Sequence, residues 1–186
     1  MNIAIVGATG LVGKKMLEIL EERNFPLEKI VPIASKKSEG NLINFCGKKF
    51  KVISVENSLS SEIDIALFSA GAEISLEWAP QYRKRGIYVI DNSSAWRMSN
   101  DIKLIIPEIN GRLLESSDRI IANPNCSTIQ MVLALKPLHD QAIVNRVVVS
   151  TYQSVSGAGK EAMDELFNQT QNIYANKNLE KNKFTK

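Results

Sequence analysis

Gly7, Gly10 and Gly13 stand three residues apart, directly after the β-type run Ile3-Ala4-Ile5-Val6 and before a helical pattern running from Leu11 to Arg23. That arrangement constrains the fold sharply. A strand delivers the backbone to a tight turn, and a helix leaves it with its first N–H groups unspent. Such a turn lets the chain approach a pyrophosphate closely, and the helix N-terminus then stabilises the negative charge. In the helical stretch Leu11, Met16, Leu17, Ile19 and Leu20 are apolar, with Lys and Glu between them, and Pro26 closes the region.

The same punctuation recurs along the chain. Apolar runs ending at Ala34, Ser69, Ile90 and Ala122 are each followed by a polar or glycine-bearing segment. Residues Gly40 to Val55 read as short strands around a turn, with Cys46 inside the alternation. Glu73 to Arg85 reads as a helix that Pro80 kinks or breaks, and Ile129 to Leu138 as another. Strands alternating with helices imply an α/β fold, a doubly wound parallel sheet covered on both faces. Ligands then collect at the carboxyl ends of the strands. Further on, Arg146 to Gln153 reads as a β-branched strand, followed by a Gly/Ser loop and a helix from Glu161 to about Tyr174. The Asn/Lys-rich end, 176–186, reads as solvated.

Composition narrows the function. The 186 residues are 44% apolar and 23% charged, with a net charge of +3. The dispersed basic residues and sparse aromatics give no footprint for nucleic acid. No stretch approaches a membrane span, and no basic leader precedes the first strand, so a cytoplasmic setting is expected. The two cysteines, Cys46 and Cys126, offer neither a disulfide framework nor metal-ligand spacing.

At the end of the second strand an NAD site usually carries an acid for the ribose 2′-hydroxyl. Here Ser35, Lys36, Lys37 and Ser38 come before any acid. NADP is therefore the expected cofactor. Cys126 follows Asn123-Pro124-Asn125 on a strand-to-helix turn, where unpaired N–H groups and the helix dipole favour a negatively charged sulfur. Cys46 fits a small core hydrophobe and receives no role. His139, the chain's one histidine, stands thirteen residues beyond Cys126, roughly 20 Å along a helix. It reads as a helix C-terminal residue, so no acid/base partner is evident. Gln153 can donate to a carbonyl or carboxylate, and Arg97 is a candidate anion clamp.

Five segments carry a resemblance to the aspartate-semialdehyde dehydrogenase family. They are Gly7 to Gly13, Phe68 to Gly71, Asp91-Asn92-Ser93-Ser94-Ala95-Trp96-Arg97, Asn123 to Thr128, and Ser150 to Gly159. The resemblance implies a Rossmann-type NADP-binding domain over 1–125 and the beginning of an α+β catalytic and dimerisation domain over 126–186. It also implies a role for each matched residue. Cys126 would be the nucleophile that becomes an acyl-thioester, and Gln153 would bind and orient the substrate. Arg97 would hold the phosphate, while Thr9, Gly10, Leu11, Val12, Lys37, Ser38, Ser156 and Gly157 would contact NADP.

The implied reaction is NADPH-dependent reduction of L-aspartyl-4-phosphate to the semialdehyde with release of phosphate, a step toward lysine, threonine, methionine and isoleucine. The implied assembly is a homodimer or homotetramer. Family members are longer, and their acid/base histidine and substrate-carboxylate arginine lie in a segment that would follow Lys186. The chain as printed is thus expected to bind NADP without turning over. The competing readings are N-acetyl-glutamyl-phosphate reductase, on a related acyl phosphate, and a non-catalytic nucleotide-binding module.

Overall fold

A computed structural model describes residues 1–175 and 177. Apart from Lys177, the end expected to be solvated lies outside the described residues. The chain divides into two units, Met1–Arg146 and 147–186. In the first, a seven-stranded sheet is built from β1 (Asn2–Val6), β2 (Lys29–Ala34), β5 (Ile53–Ser54), β6 (Ile65–Phe68), β7 (Tyr88–Asp91), β8 (Lys103–Leu104) and β9 (Ile120–Ala122). A separate antiparallel hairpin joins β3 (Leu42–Phe45) to β4 (Lys48–Lys51). The helices are α1 (Leu11–Glu22), α2 (Val55–Ser58), α3 (Ala72–Lys84), α4 (Pro107–Asn110), α5 (Cys126–Ala142) and, in the second unit, α6 (Lys160–Tyr174).

The sheet order is β5-β2-β1-β6-β7-β9-β8, and every pairing in it is parallel. The doubly wound expectation holds. From β1 the chain builds outward to β2 and β5, then returns to place β6 on the other side of β1. The order therefore reverses between β1 and β6, where such sheets open a crevice at their carboxyl ends.

Strand periodicity supplies both faces. Ile3 and Ile5 of β1 pack with Ala8, Leu17 and Phe45, on the side of α1 and the hairpin. Ala4 and Val6 point the other way, into a core with Phe68, Trp78, Tyr82 and Val89 on the α3 side. Phe68 and Tyr82 meet edge to face, with ring centroids 5.2 Å apart.

Pro80 does not break α3, which runs through to Lys84. An interior proline costs about 3 kcal/mol. Trp78, Ala79 and Tyr82 on either side of it are buried, and each large side chain contributes about 1.5–3 kcal/mol on burial. Packing outweighs the lost backbone bond.

Burial pushes the Tyr82 phenol above its ordinary pKa, opposed by its hydrogen bond with Ser58. Ser58 Oγ in turn donates to the Val55 carbonyl at 2.6 Å. Tyr82→Phe should cost about 1 kcal/mol in urea unfolding by removing one buried hydrogen bond. A raised pKa in the folded state means that folding favours the neutral phenol. That stabilisation is complete below the unfolded pKa of about 10 and is lost as pH rises past it. The phenylalanine variant should therefore show a flatter alkaline limb.

Two local expectations are corrected. Cys46 is exposed, not a core residue, and occupies the hairpin turn with Gly47 at φ of 47° and 72°. Paired positive φ values match strand twist in a two-residue turn, so its neighbour Phe45 is buried instead. The expected strand from Arg146 to Gln153 does not form, and Val148 and Tyr152 are 80% and 101% exposed. β-Branched side chains favour a strand only when a neighbouring backbone completes the ladder, and no described residue pairs with this segment. Among the described residues no helix is long and apolar enough to cross a membrane, and no cluster of acidic, His or Cys side chains could hold a metal ion.

Candidate functional site

The glycine loop is held shut by the protein itself. The N–H groups of Gly7 and Ala8 both donate to the Ile33 carbonyl, at 2.8 and 3.0 Å, tying the end of β1 to β2. Gly7 has φ +95°, and a Cβ there would lie 2.4 Å from the Ser69 carbonyl oxygen. Gly10 caps α1 without a side chain, and no acid stands in the first turn. Leu11 and Val12, exposed at 53% and 45%, present N–H groups that precede the first intrahelical bond. Thr9, Gly10, Leu11 and Val12 thus surround an unspent helix N-terminus, which suits a pyrophosphate.

Beside it lies a cavity of about 330 Å³, lined chiefly by apolar groups of Ile33, Ala34, Val55, Ala70 and Ile74. Its position at the switch between β1 and β6 and its apolar walls suit a nucleoside. At its rim a short 3₁₀ turn, Lys36–Ser38, follows β2. Lys36 pairs with Glu56 at 3.2 Å. The Glu56 carboxyl is held below its ordinary range, first by its own backbone N–H and then by Lys36. Glu39, the nearest acid, accepts from Asn57 at 2.8 Å and from Ser54 at 3.4 Å. Lys37 is exposed and has no ion pair among the described residues.

At the other side of the crevice β9 hands over to α5. Asn125 caps the helix, its Oδ1 accepting from the Ser127 N–H at 3.0 Å, and Cys126 is the first helical residue, with its thiol exposed. The preceding loop is bound to the end of β7. The Asn123 N–H donates to the Asp91 carbonyl at 2.8 Å, and its Nδ2 donates to Asn92 Oδ1 at 2.6 Å. Arg97 joins both loops, donating from Nε to the Asn123 carbonyl and from Nη2 to the Asn92 carbonyl, each at 3.0 Å. Two of its five N–H donors are thereby used, and three remain for an anion.

The structure thus brings Arg97 to the segment that carries Cys126, and Thr9 and Gly10 to the cavity that Ser35 also lines, while Leu11 and Val12 open α1 and Lys37 and Ser38 lie in the 3₁₀ turn after β2. Gln153, Ser156 and Gly157 belong to the second unit. There Gln153 Nε2 donates to Thr151 Oγ1 at 3.2 Å, and Ser156 and Gly157 lie in the 3₁₀ turn Val155–Ala158. His139 stands in the last turn of α5, its Nδ1 accepting the Val144 N–H at 3.2 Å. Sequence reasoning missed Asn92 and Asn123 as a bonded pair. The signal was there: each is an asparagine just past a strand end, and those strands prove to be neighbours.

A sequence model for the NAD binding domain of semialdehyde dehydrogenase matches residues 2–117, and one for its dimerisation domain matches residues 135–186. The chain is 57% identical over 173 residues to the aspartate-semialdehyde dehydrogenase of Aquifex aeolicus (strain VF5), covering 91% of this chain and 51% of that protein. It is 50% identical over 186 residues to that of Vibrio mimicus, covering 99% and 59%. The crystal structure of aspartate semialdehyde dehydrogenase II from Vibrio cholerae, complexed with ASA, superposes with a TM-score of 0.90 at 47% identity. It covers 100% of this chain and 56% of that one. The chain spans about half the length of the curated relatives it matches.

Proposed function

The chain belongs to the semialdehyde dehydrogenase family, and we propose that it is the NADP-binding and nucleophile-bearing part of an aspartate-semialdehyde dehydrogenase. The observation that carries this reading is Cys126 at the first position of α5, with Arg97 bonded to the same loop. Residues 1–125 would form the cofactor domain, and residues from 126 the beginning of the catalytic and dimerisation domain. The whole enzyme would act in the cytoplasm as a homodimer or homotetramer.

The Cys126 sulfur attacks the carbonyl of L-aspartyl-4-phosphate, the acyl C–O bond breaks, and phosphate departs toward Arg97 as the thioester forms. The backbone N–H of Cys126 is placed to donate to the developing oxyanion. Gln153 orients the substrate. NADPH, when bound, supplies the hydride that reduces the thioester. Proton uptake and breakage of the C–S bond then release the semialdehyde and restore the thiol. The residues present suit NADP: Leu11 and Val12 would offer N–H groups to the pyrophosphate, the apolar cavity would take the adenosine, and Lys37, exposed and without an ion pair among the described residues, would meet the 2′-phosphate with Ser38.

Lys37→Glu should lower NADP affinity about tenfold or more while leaving NAD affinity within about twofold, because only the 2′-phosphate distinguishes them. Titration of both nucleotides measures this, and equal losses would contradict the assignment. The reaction itself is tested by incubating the chain with L-aspartyl phosphate or N-acetyl-glutamyl phosphate and mapping covalent acylation by mass spectrometry. Acylation of Cys126 by the aspartyl compound in preference is expected. The reverse preference would favour the reductase of the acetylated substrate, and an unmodified Cys126 would favour a non-catalytic nucleotide-binding module.

A further inference from the structure

We propose that Asn92 is a positioning residue whose amide couples the Arg97 anion clamp to the loop that carries Cys126. The inference rests on the proposed roles of Arg97 and Cys126 and adds a residue to which neither role was assigned.

Asn92 opens the loop after β7 and bonds both to the last residue of β6 and to the loop after β9. Its N–H donates to the Phe68 carbonyl at 2.9 Å, at the end of β6. Its own carbonyl accepts from Arg97 Nη2 at 3.0 Å, and its Oδ1 accepts from Asn123 Nδ2 at 2.6 Å. Arg97 Nε closes a ring by donating to the Asn123 carbonyl at 3.0 Å. The guanidinium is therefore gripped by two carbonyls belonging to two loops, and the Asn92–Asn123 side-chain bond reinforces the backbone bond from the Asn123 N–H to the Asp91 carbonyl in setting their separation. Asn123 stands three residues before Cys126, and Asn125 between them caps the helix.

With the amide bridge gone, only the backbone bond from the Asn123 N–H to the Asp91 carbonyl, at 2.8 Å, still joins the two loops directly, and the Asn92 and Asn123 carbonyls that grip the guanidinium lose their fixed spacing. An acyl phosphate must place its carbonyl on the sulfur and its phosphate on the arginine at once. Small errors in that spacing are costly, because bond formation requires near-attack geometry. Neighbouring support is in place: Asp91, fully buried, accepts from Ser93 Oγ at 2.6 Å, and Ser93 Oγ accepts the Ala95 N–H at 3.1 Å. Those side-chain bonds shape the turn leading to Arg97, and Asp91 meets the cysteine loop through its backbone carbonyl, which accepts the Asn123 N–H at 2.8 Å. Among Asp91, Asn92 and Ser93, only Asn92 bonds to that loop through its side chain.

The test uses the whole chain, inorganic phosphate as the anion and iodoacetamide as the thiol probe, with alkylation of each cysteine followed by peptide mass spectrometry. In the wild type, phosphate should slow alkylation of Cys126 and leave the exposed hairpin thiol of Cys46 unaffected. Asn92→Ala and Asn123→Ala break the same bond from opposite sides. Each should raise the phosphate concentration needed for half-protection about tenfold, and the double variant should be no worse than about tenfold, because both changes remove one interaction. NADP affinity should stay within about twofold throughout. Wild-type protection in either single variant, or multiplied losses in the double, would overturn the coupling, as would a parallel loss of NADP affinity. Absence of phosphate protection in the wild type would instead remove the Arg97 clamp from the proposed site, and the coupling with it.

Discussion

Gly13→Ala is expected to destabilise the first unit by about 3 kcal/mol or more and to abolish NADP binding. The sign is the informative part. In an ordinary helix interior, replacing glycine by alanine gains up to about 1 kcal/mol. At Gly13 the added Cβ would sit 2.2 Å from the Gly7 carbonyl oxygen and 2.8 Å from Ala8 Cα. Both neighbours are backbone, so neither can rotate aside. Moving Gly7 is no remedy, since its own missing Cβ already permits contact with the Ser69 carbonyl of the β6 loop. Helix α1 must therefore lift from the end of β1, carrying the N–H groups of Leu11 and Val12 away from the crevice. Gly10→Ala is the reference, because its Cβ would meet the same Gly7 oxygen at 3.2 Å and demands a shift of only tenths of an ångström. Urea midpoints for the two variants, with NADP titrations alongside, measure the difference. A Gly13 variant as stable as the wild type would sink this account of the loop.

That glycine spacing is also why so much of the fold was legible in the sequence. A strand, a glycine turn and a helix are local features, and the alternation of Ile3, Ala4, Ile5 and Val6 feeds two cores through the period of the strand itself. The parallel order follows from repeating that unit. What the sequence hid is non-local. Val147 to Val149 have strand chemistry, yet pairing depends on a neighbouring backbone that no described residue supplies. Cys46 lies within an apolar-polar alternation, but the register of the hairpin, set by Leu42 opposite Lys51 and Phe45 opposite Lys48, turns it into a loop residue.

The candidate site divides in the same way. The start of α5 at Cys126 could be read from Asn125 and the apolar run that follows, since a cap and a helix are neighbours in sequence. Which lysine remains available at the end of β2 could not, because the partner that occupies Lys36 is Glu56, twenty residues away. Asn57 and Ser54 likewise engage Glu39 from the far side of the hairpin. Arg97 was readable as a cation in a polar segment, but not as a bridge between two carbonyls whose strands are adjacent only in the sheet.

Cys126→Ser is expected to keep NADP affinity within about twofold and to lose covalent acylation by at least about 10³-fold. Oxygen for sulfur disturbs none of the bonds that shape the helix start. The Asn125 cap on Ser127 and the Ile129 N–H on the Asn125 carbonyl, at 2.9 Å, involve no thiol. The loss is chemical. A serine hydroxyl attacks an acyl phosphate only when a base removes its proton, and the chain's histidine stands at the far end of α5 with Nδ1 engaged by Val144. Cys46 provides the internal comparison, being likewise exposed, on a hairpin turn with no helix N-terminus behind it. Incubation with L-aspartyl phosphate, followed by intact-mass and peptide mapping, should place the adduct on Cys126 in the wild type and nowhere in the variant. An adduct that persists in Cys126→Ser, or that maps to Cys46, would show that accessibility alone decides acylation and would remove the nucleophile from the proposed mechanism.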